Sequence, residues 1–292
     1  MRYGIALPNF TDLATPESIQ AAAETADRLG WADVWTTDHV LVDRSHASAD
    51  YYVNFDALET LAWVGARHSN LGLGTSVIVV PQRSAVVLAK QIATLDSLSA
   101  GRVIAGIGIG WNEKEFGNLG FADRFHHRGA YLDETVRLWR HLWSGSSEPF
   151  DGRFHPLDDF VFGPLPAQRS SLPIWIGGRA EPALRRVGRL ADGYHSSATS
   201  PSAYAERLPV IKAAAHEAGR PVPTLSARAR VQFDVKEGSG YAMRGSPEDV
   251  AAEVRAFADL GVEHMALWFG ERSPELMVAA AERFNREVEP LV

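Results

Sequence analysis

The chain has 292 residues, 46% of them apolar, with 36 acidic side chains against 29 basic ones and a net charge of −7. It contains no cysteine, which excludes disulfides, thiolate metal sites and a cysteine nucleophile. The negative balance argues against nucleic acid or an anionic membrane surface as the main partner, and no apolar run approaches the roughly 18 residues needed to cross a bilayer.

Strand-like and helix-like segments alternate from end to end. The opening MRYGIALPNF runs straight into a strand at 3–7 and lacks the apolar core of a signal peptide, so a cytoplasmic protein is expected. Pro16 follows Thr15 at the start of a helix over 16–29, and Gly30 marks its end. A strand at 33–36, a long loop at 40–54 containing His46, Tyr51 and Tyr52, and a helix at 55–68 come next. An apolar run over 71–79 is broken by Gly74, Thr75 and Ser76; after a helix at 85–99, a second run at 103–107 ends in Gly106, Gly108 and Gly110. Such runs suit strands buried on both faces, and their small residues leave room for a flat ligand against bare backbone. A helix at 128–143 leads into an insertion at 144–172, in which 150–154 reads as a tight hairpin around Asp151-Gly152. Strands at 173–176, 193–196, 225–233 and 264–269 then alternate with helices at 182–190, 201–218, 247–260 and 274–288. Ser-Pro pairs open the last three helices, with Asp249 three residues after Ser246.

Eight units of each kind in one chain predict a single α/β domain, a (β/α)8 barrel over 1–292 with its insertion before the fifth strand. Chemistry in this fold sits where the strands end. Those ends hold Phe10; Asp38 and His39; Thr75, Ser76 and Val77; Gly108, Gly110 and Trp111; Gly177, Gly178, Arg179 and Ala180; His195; Arg228 and Arg230; and Trp268. His39 is suited to proton transfer, with Asp38 beside it. Gly177 to Ala180 opens a helix, where free N–H groups and Arg179 suit a phosphate. Trp111 and Trp268 can wall a flat ligand. No HxH, HExxH or carboxylate cluster suggests a metal. Only four lysines occur, Lys90, Lys114, Lys212 and Lys236, and none follows an evident strand end, where a Schiff base would be expected.

Taken together, residues 2–8, Thr37-Asp38-His39, 73–77, 88–96, 99–102, Gly108-Ile109-Gly110-Trp111, 128–134, Ile174-Trp175-Ile176-Gly177-Gly178, 191–193 and 245–248 resemble the luciferase-like monooxygenase superfamily. Among its branches the chain is most similar to the oxidoreductases that use the deazaflavin coenzyme F420. The resemblance implies a cis peptide at Ser76-Val77 behind the ring, with Asp38 and His39 near its polar edge and reactive carbon. It implies further that Gly108 to Trp111 line the ring or ribityl chain, and that Gly177 to Ala180 take the phosphate. It favours F420 over FMN, because Ile109 stands where some flavin-using members carry an arginine. It also implies a homodimer acting on a small-molecule substrate. Phe10, Trp111 and Trp268 at the strand ends are expected to form an apolar substrate wall, with His195 also against the substrate. An FMN monooxygenase, a metal-dependent barrel hydrolase and a non-catalytic cofactor carrier remain the alternatives.

Overall fold

Apolar strands that alternate with amphipathic helices close, in the computed structural model, into a parallel barrel. Residues 1–44 and 53–292 are described, so His46, Tyr51 and Tyr52 lie outside the described residues. The strands are β1 (Arg2–Ala6), β2 (Asp33–Thr36), β3 (Gly72–Thr75), β4 (Ile78–Val79), β5 (Val103–Gly108), β6 (Ile174–Ile176), β7 (Gly193–Ser197), β8 (Thr224–Phe233), β9 (Met243–Gly245) and β10 (His264–Trp268). Pairing runs β10-β1-β2-β3-β5-β6-β7-β8 and closes through β8 and β10, which gives eight barrel strands, all parallel. The apolar run at 71–79 is two pieces: β3 ends at Thr75, and after the break β4 pairs with Ile107 and Gly108 of β5.

Helices α1 (Pro16–Leu29), α2 (Ala57–Gly65), α3 (Ala85–Leu98), α4 (Glu113–Asn118), α5 (Arg128–Trp143), α6 (Glu181–Leu190), α7 (Pro201–Glu217), α8 (Pro247–Asp259) and α9 (Pro274–Arg283) accompany the strands. The expected caps are present. The side chains of Thr15, Ser200, Ser246 and Ser273 each accept a backbone N–H in the first turn, and Ser246 with Asp249 forms a capping box. Gly30 ends α1 at φ 71°. The last helix stops at Arg283 instead of 288, because 284–288 widens into a π turn. The short helix α4 was not expected.

Two apolar layers hold the fold. Strand and helix side chains such as Leu73, Ile92, Leu132, Trp139 and Val187 fill the space between barrel and helices. Trp35 and Trp175 fill the barrel itself, stacked at 5.3 Å with an interplanar angle of 25°. Each indole lies over a glycine. A Cβ on Gly74 would stand 2.4 Å from Trp35, and one on Gly193 would stand 2.4 Å from Trp175.

The insertion is tied down by one carboxylate. Buried Glu134 accepts the backbone N–H groups of Arg153, Phe154 and His155 at 2.9, 2.7 and 2.8 Å. This replaces the tight hairpin expected at 150–154. The N–H groups that hairpin pairing would use go to Glu134, and the turn closes further out, where Phe150 and Leu157 exchange backbone hydrogen bonds.

Candidate active site

The C-terminal ends of the strands enclose a cavity of about 520 Å³. The segment after β2 brings Thr37, Asp38 and His39 to it, the β3–β4 break brings Ser76 and Val77, and the turn after β5 brings Gly108 to Trp111. Gly177, Gly178 and Arg179 follow β6, and Val79, His195, Ser197 and Arg228 complete the lining. A second hollow of about 320 Å³ adjoins it and shares Thr37, Arg179, Ser197 and Arg228. Phe10, Arg230, Tyr241 and Trp268 face this second hollow only. The expected aromatic wall is therefore divided. Trp111 stands half-exposed over the first cavity, edge-on to His39 at 5.9 Å, while Phe10 packs on Trp268 at 5.3 Å in the second.

Asp38 is buried with both oxygens engaged. Oδ2 accepts the Val79 N–H at 2.9 Å, and Oδ1 accepts Arg83 Nη2 at 2.5 Å. Asp38 thus holds β4 in place from the cavity wall. His39 is oriented by a residue that sequence reasoning missed. Its Nδ1 lies 3.1 Å from Oε2 of Glu115, whose Oε1 accepts the N–H groups of Val40 and Leu41 at 2.7 and 3.1 Å. Burial pushes the Glu115 carboxyl up, but the hydrogen bonds from His39 and the Val40 N–H outweigh it and hold the group below its ordinary value. A sequence signal existed: Asn112 caps α4, and its side chain accepts the Glu115 N–H three residues on.

The cavity floor is largely backbone. The Ser76–Val77 peptide is cis, as the resemblance implies. Thr75 turns away from the cavity, and its Oγ1 donates to the Gly106 carbonyl at 2.6 Å. The glycines of β5 serve the wall as well as the opening: a Cβ on Gly106 would meet Thr75 O, and one on Gly108 would lie 2.7 Å from Val77. At the start of α6 no side chain caps the helix, and Ala180 stands in the N-cap position with extended backbone. Arg179 is exposed there, donating to the Ser197 carbonyl at 3.0 Å. His195 lies in the floor with its side chain buried, 2.8 Å from Ser76 Oγ and 2.9 Å from Ser226 Oγ.

A closed (β/α)8 barrel with a cavity at its C-terminal mouth is the architecture of many barrel enzymes. The sequence profile of the luciferase-like monooxygenase family matches residues 1–242, and the chain belongs to that family. The chain is 33% identical over 228 residues to the F420-dependent glucose-6-phosphate dehydrogenase of Nakamurella multipartita, a match covering 75% of this chain and 64% of that protein's length. To the enzyme of the same name from Kineococcus radiotolerans it is 29% identical over 293 aligned positions, 92% of this chain and 84% of the other. The structure of the F420-dependent tetrahydromethanopterin reductase from Methanopyrus kandleri superposes with a TM-score of 0.82 over 99% of this chain and 98% of the other, at 19% identity. At that identity the likeness is one of fold.

Proposed function

We propose that this chain is an F420-dependent oxidoreductase that moves a hydride between the deazaflavin and a small organic substrate. The observation that carries the reading is the combination of a floor bare at Gly108 and Gly177, with the Val77 side chain between them, and an oriented imidazole at the rim. The volume of about 520 Å³ lies in the range of cofactor pockets. Ile109 in the lining supports the deazaflavin over FMN, and so do the names of the curated relatives.

When bound, the deazaflavin supplies a carbon that accepts or gives up a hydride. The protein's share is orientation, exclusion of water and proton handling. Val77 and Gly108 would lie against the ring. The Gly177–Ala180 turn and the uncapped start of α6 would hold the phosphate with the N–H groups from Gly178 to Glu181, since the Gly177 N–H donates to the Ile107 carbonyl, and Arg179 would add charge. His39 transfers the proton that accompanies the hydride, with Nδ1 fixed on Glu115 so that the ring keeps one orientation. Phe10 and Trp268 bound the substrate space in the second hollow.

Titration of the purified protein with F420 and with FMN, followed by fluorescence, tests the reading. F420 should bind at least tenfold more tightly than FMN. Tight FMN binding with oxygen uptake at an oxygen electrode would make the protein a flavin monooxygenase instead.

A further inference from the structure

Below the cavity a row of polar side chains crosses the barrel interior, and nothing in the hydride reading uses it. Arg228 Nη1 lies 3.4 Å from Ser76 Oγ and 3.0 Å from the Ser76 carbonyl. Ser76 Oγ lies 2.8 Å from His195 Nε2, and His195 Nδ1 lies 2.9 Å from Ser226 Oγ. Ser226 Oγ lies 2.8 Å from His264 Nδ1, and His264 Nε2 lies 2.9 Å from Asp33 Oδ1. The row is packed in aromatic rings. His195 stacks on Trp35 at 4.6 Å and 12°, while His264 touches Trp35 at 5.2 Å and Trp175 at 5.3 Å. Ser226, His195 and His264 are almost wholly buried.

The carboxylate end dictates the direction of every hydrogen. At the other end Arg228 Nη1 spends its two hydrogens on Thr37 Oγ1 at 2.9 Å and the Ser76 carbonyl at 3.0 Å, which leaves Ser76 Oγ only the 3.4 Å contact. A carboxylate only accepts, so His264 Nε2 donates to Asp33, beside the Trp35 indole N–H on the same oxygen. His264 Nδ1 is then bare and takes the Ser226 hydrogen, Ser226 takes the His195 Nδ1 hydrogen, and His195 Nε2 takes the Ser76 hydrogen. Each group donates once along the row. The reverse order would need a second hydrogen on His264, a buried imidazolium paired with Asp33, and the neutral order carries one buried charge fewer. Burial above all holds His195 well below its ordinary value, so this ring is neutral and can pass only one hydrogen.

We propose that this row is polarised in one direction, from Ser76 to Asp33, and thereby locks the Ser76 hydroxyl as a hydrogen-bond acceptor toward the cavity. Ser76 then selects a ligand that offers an N–H or O–H at the floor. A deazaflavin carries such donors in its imide N–H and its hydroxyls, and this second part rests on the functional reading above. Ser226, His264 and Asp33 are positioning residues: they reach the ligand only through His195 and Ser76.

Nitrogen-15 NMR of histidine-labelled protein tests the polarity directly. His195 should carry its proton on Nδ1 and His264 on Nε2; a proton on His195 Nε2 would overturn the proposal. Ser226→Ala cuts the row far from the ligand. It should release His195 from the Nδ1–H form and weaken F420 binding about five- to tenfold, with Ser226→Thr restoring both. Unchanged F420 affinity in Ser226→Ala, with the fold intact by circular dichroism, would remove Ser76 as a ligand contact. If Ser226→Ala does not fold, Ser76→Ala at the cavity edge must give the same loss of affinity. Failure of F420 to bind the wild type would sink the functional reading, while the histidine tautomers would still decide the polarity of the row.

Discussion

His39 and Glu115 carry the sharpest expectations because their roles separate. His39→Ala should leave F420 binding within about tenfold and slow turnover by ~10²-fold or more, measured by cofactor absorbance under saturating substrate. Equal turnover would remove His39 from the mechanism. Glu115 touches no ligand in this reading, yet its loss frees both the ring and the 40–41 backbone. Glu115→Gln should therefore lower turnover about tenfold with a smaller effect on F420 affinity. The carboxyl also contributes to stability in a defined pH window. Its folded value lies below its ordinary one, so the contribution is full above the unfolded carboxyl range and fades as pH falls through the folded value. Urea midpoints at neutral and acid pH should differ less in Glu115→Gln than in the wild type. An identical pH dependence would mean that the His39–Glu115 contact is not formed in solution.

Elements that announce themselves chemically were legible, and those defined by distant partners were not. Proline after serine or threonine fixed four helix starts, and glycine fixed the end of α1. The mouth residues were legible because barrel chemistry gathers at strand ends. Glu115 escaped notice because α4 is six residues long and its partners lie 74 to 76 positions back. The β3–β4 break was legible as Gly74, Thr75 and Ser76 interrupting an apolar run, although the pairing of β4 with β5 was not. The insertion was misread for a similar reason: Glu134 sits in the middle of α5, and nothing local marks it as an acceptor for three N–H groups. Glu134→Ala strips those donors and should lower unfolding stability by about 3 kcal/mol in urea melts. A loss under about 0.5 kcal/mol would mean that the loop finds other partners. At α6, Gly178 has φ 148°, and a Cβ there would stand 2.6 Å from the Ala183 Cβ. Gly178→Ala should cost about 1–3 kcal/mol and weaken F420 binding more than it weakens the fold. Equal losses in both would detach this turn from the phosphate.

Among the described residues no group of three or more His, Asp or Glu side chains converges as a metal site would require. Dialysis against EDTA should leave turnover unchanged, and a loss restored by added zinc would favour a barrel hydrolase instead. At this scale the barrel offers one architectural constraint of practical weight. Four residues, Thr37, Arg179, Ser197 and Arg228, form a party wall between the two hollows. On the proposed function, with F420 in the larger hollow and the substrate in the smaller, any change there alters both tenants at once, so cofactor retention and substrate choice cannot drift independently through those positions. Tyr241 and Arg230 front only the smaller chamber, and they are the places where selectivity could be rewritten without evicting the redox group.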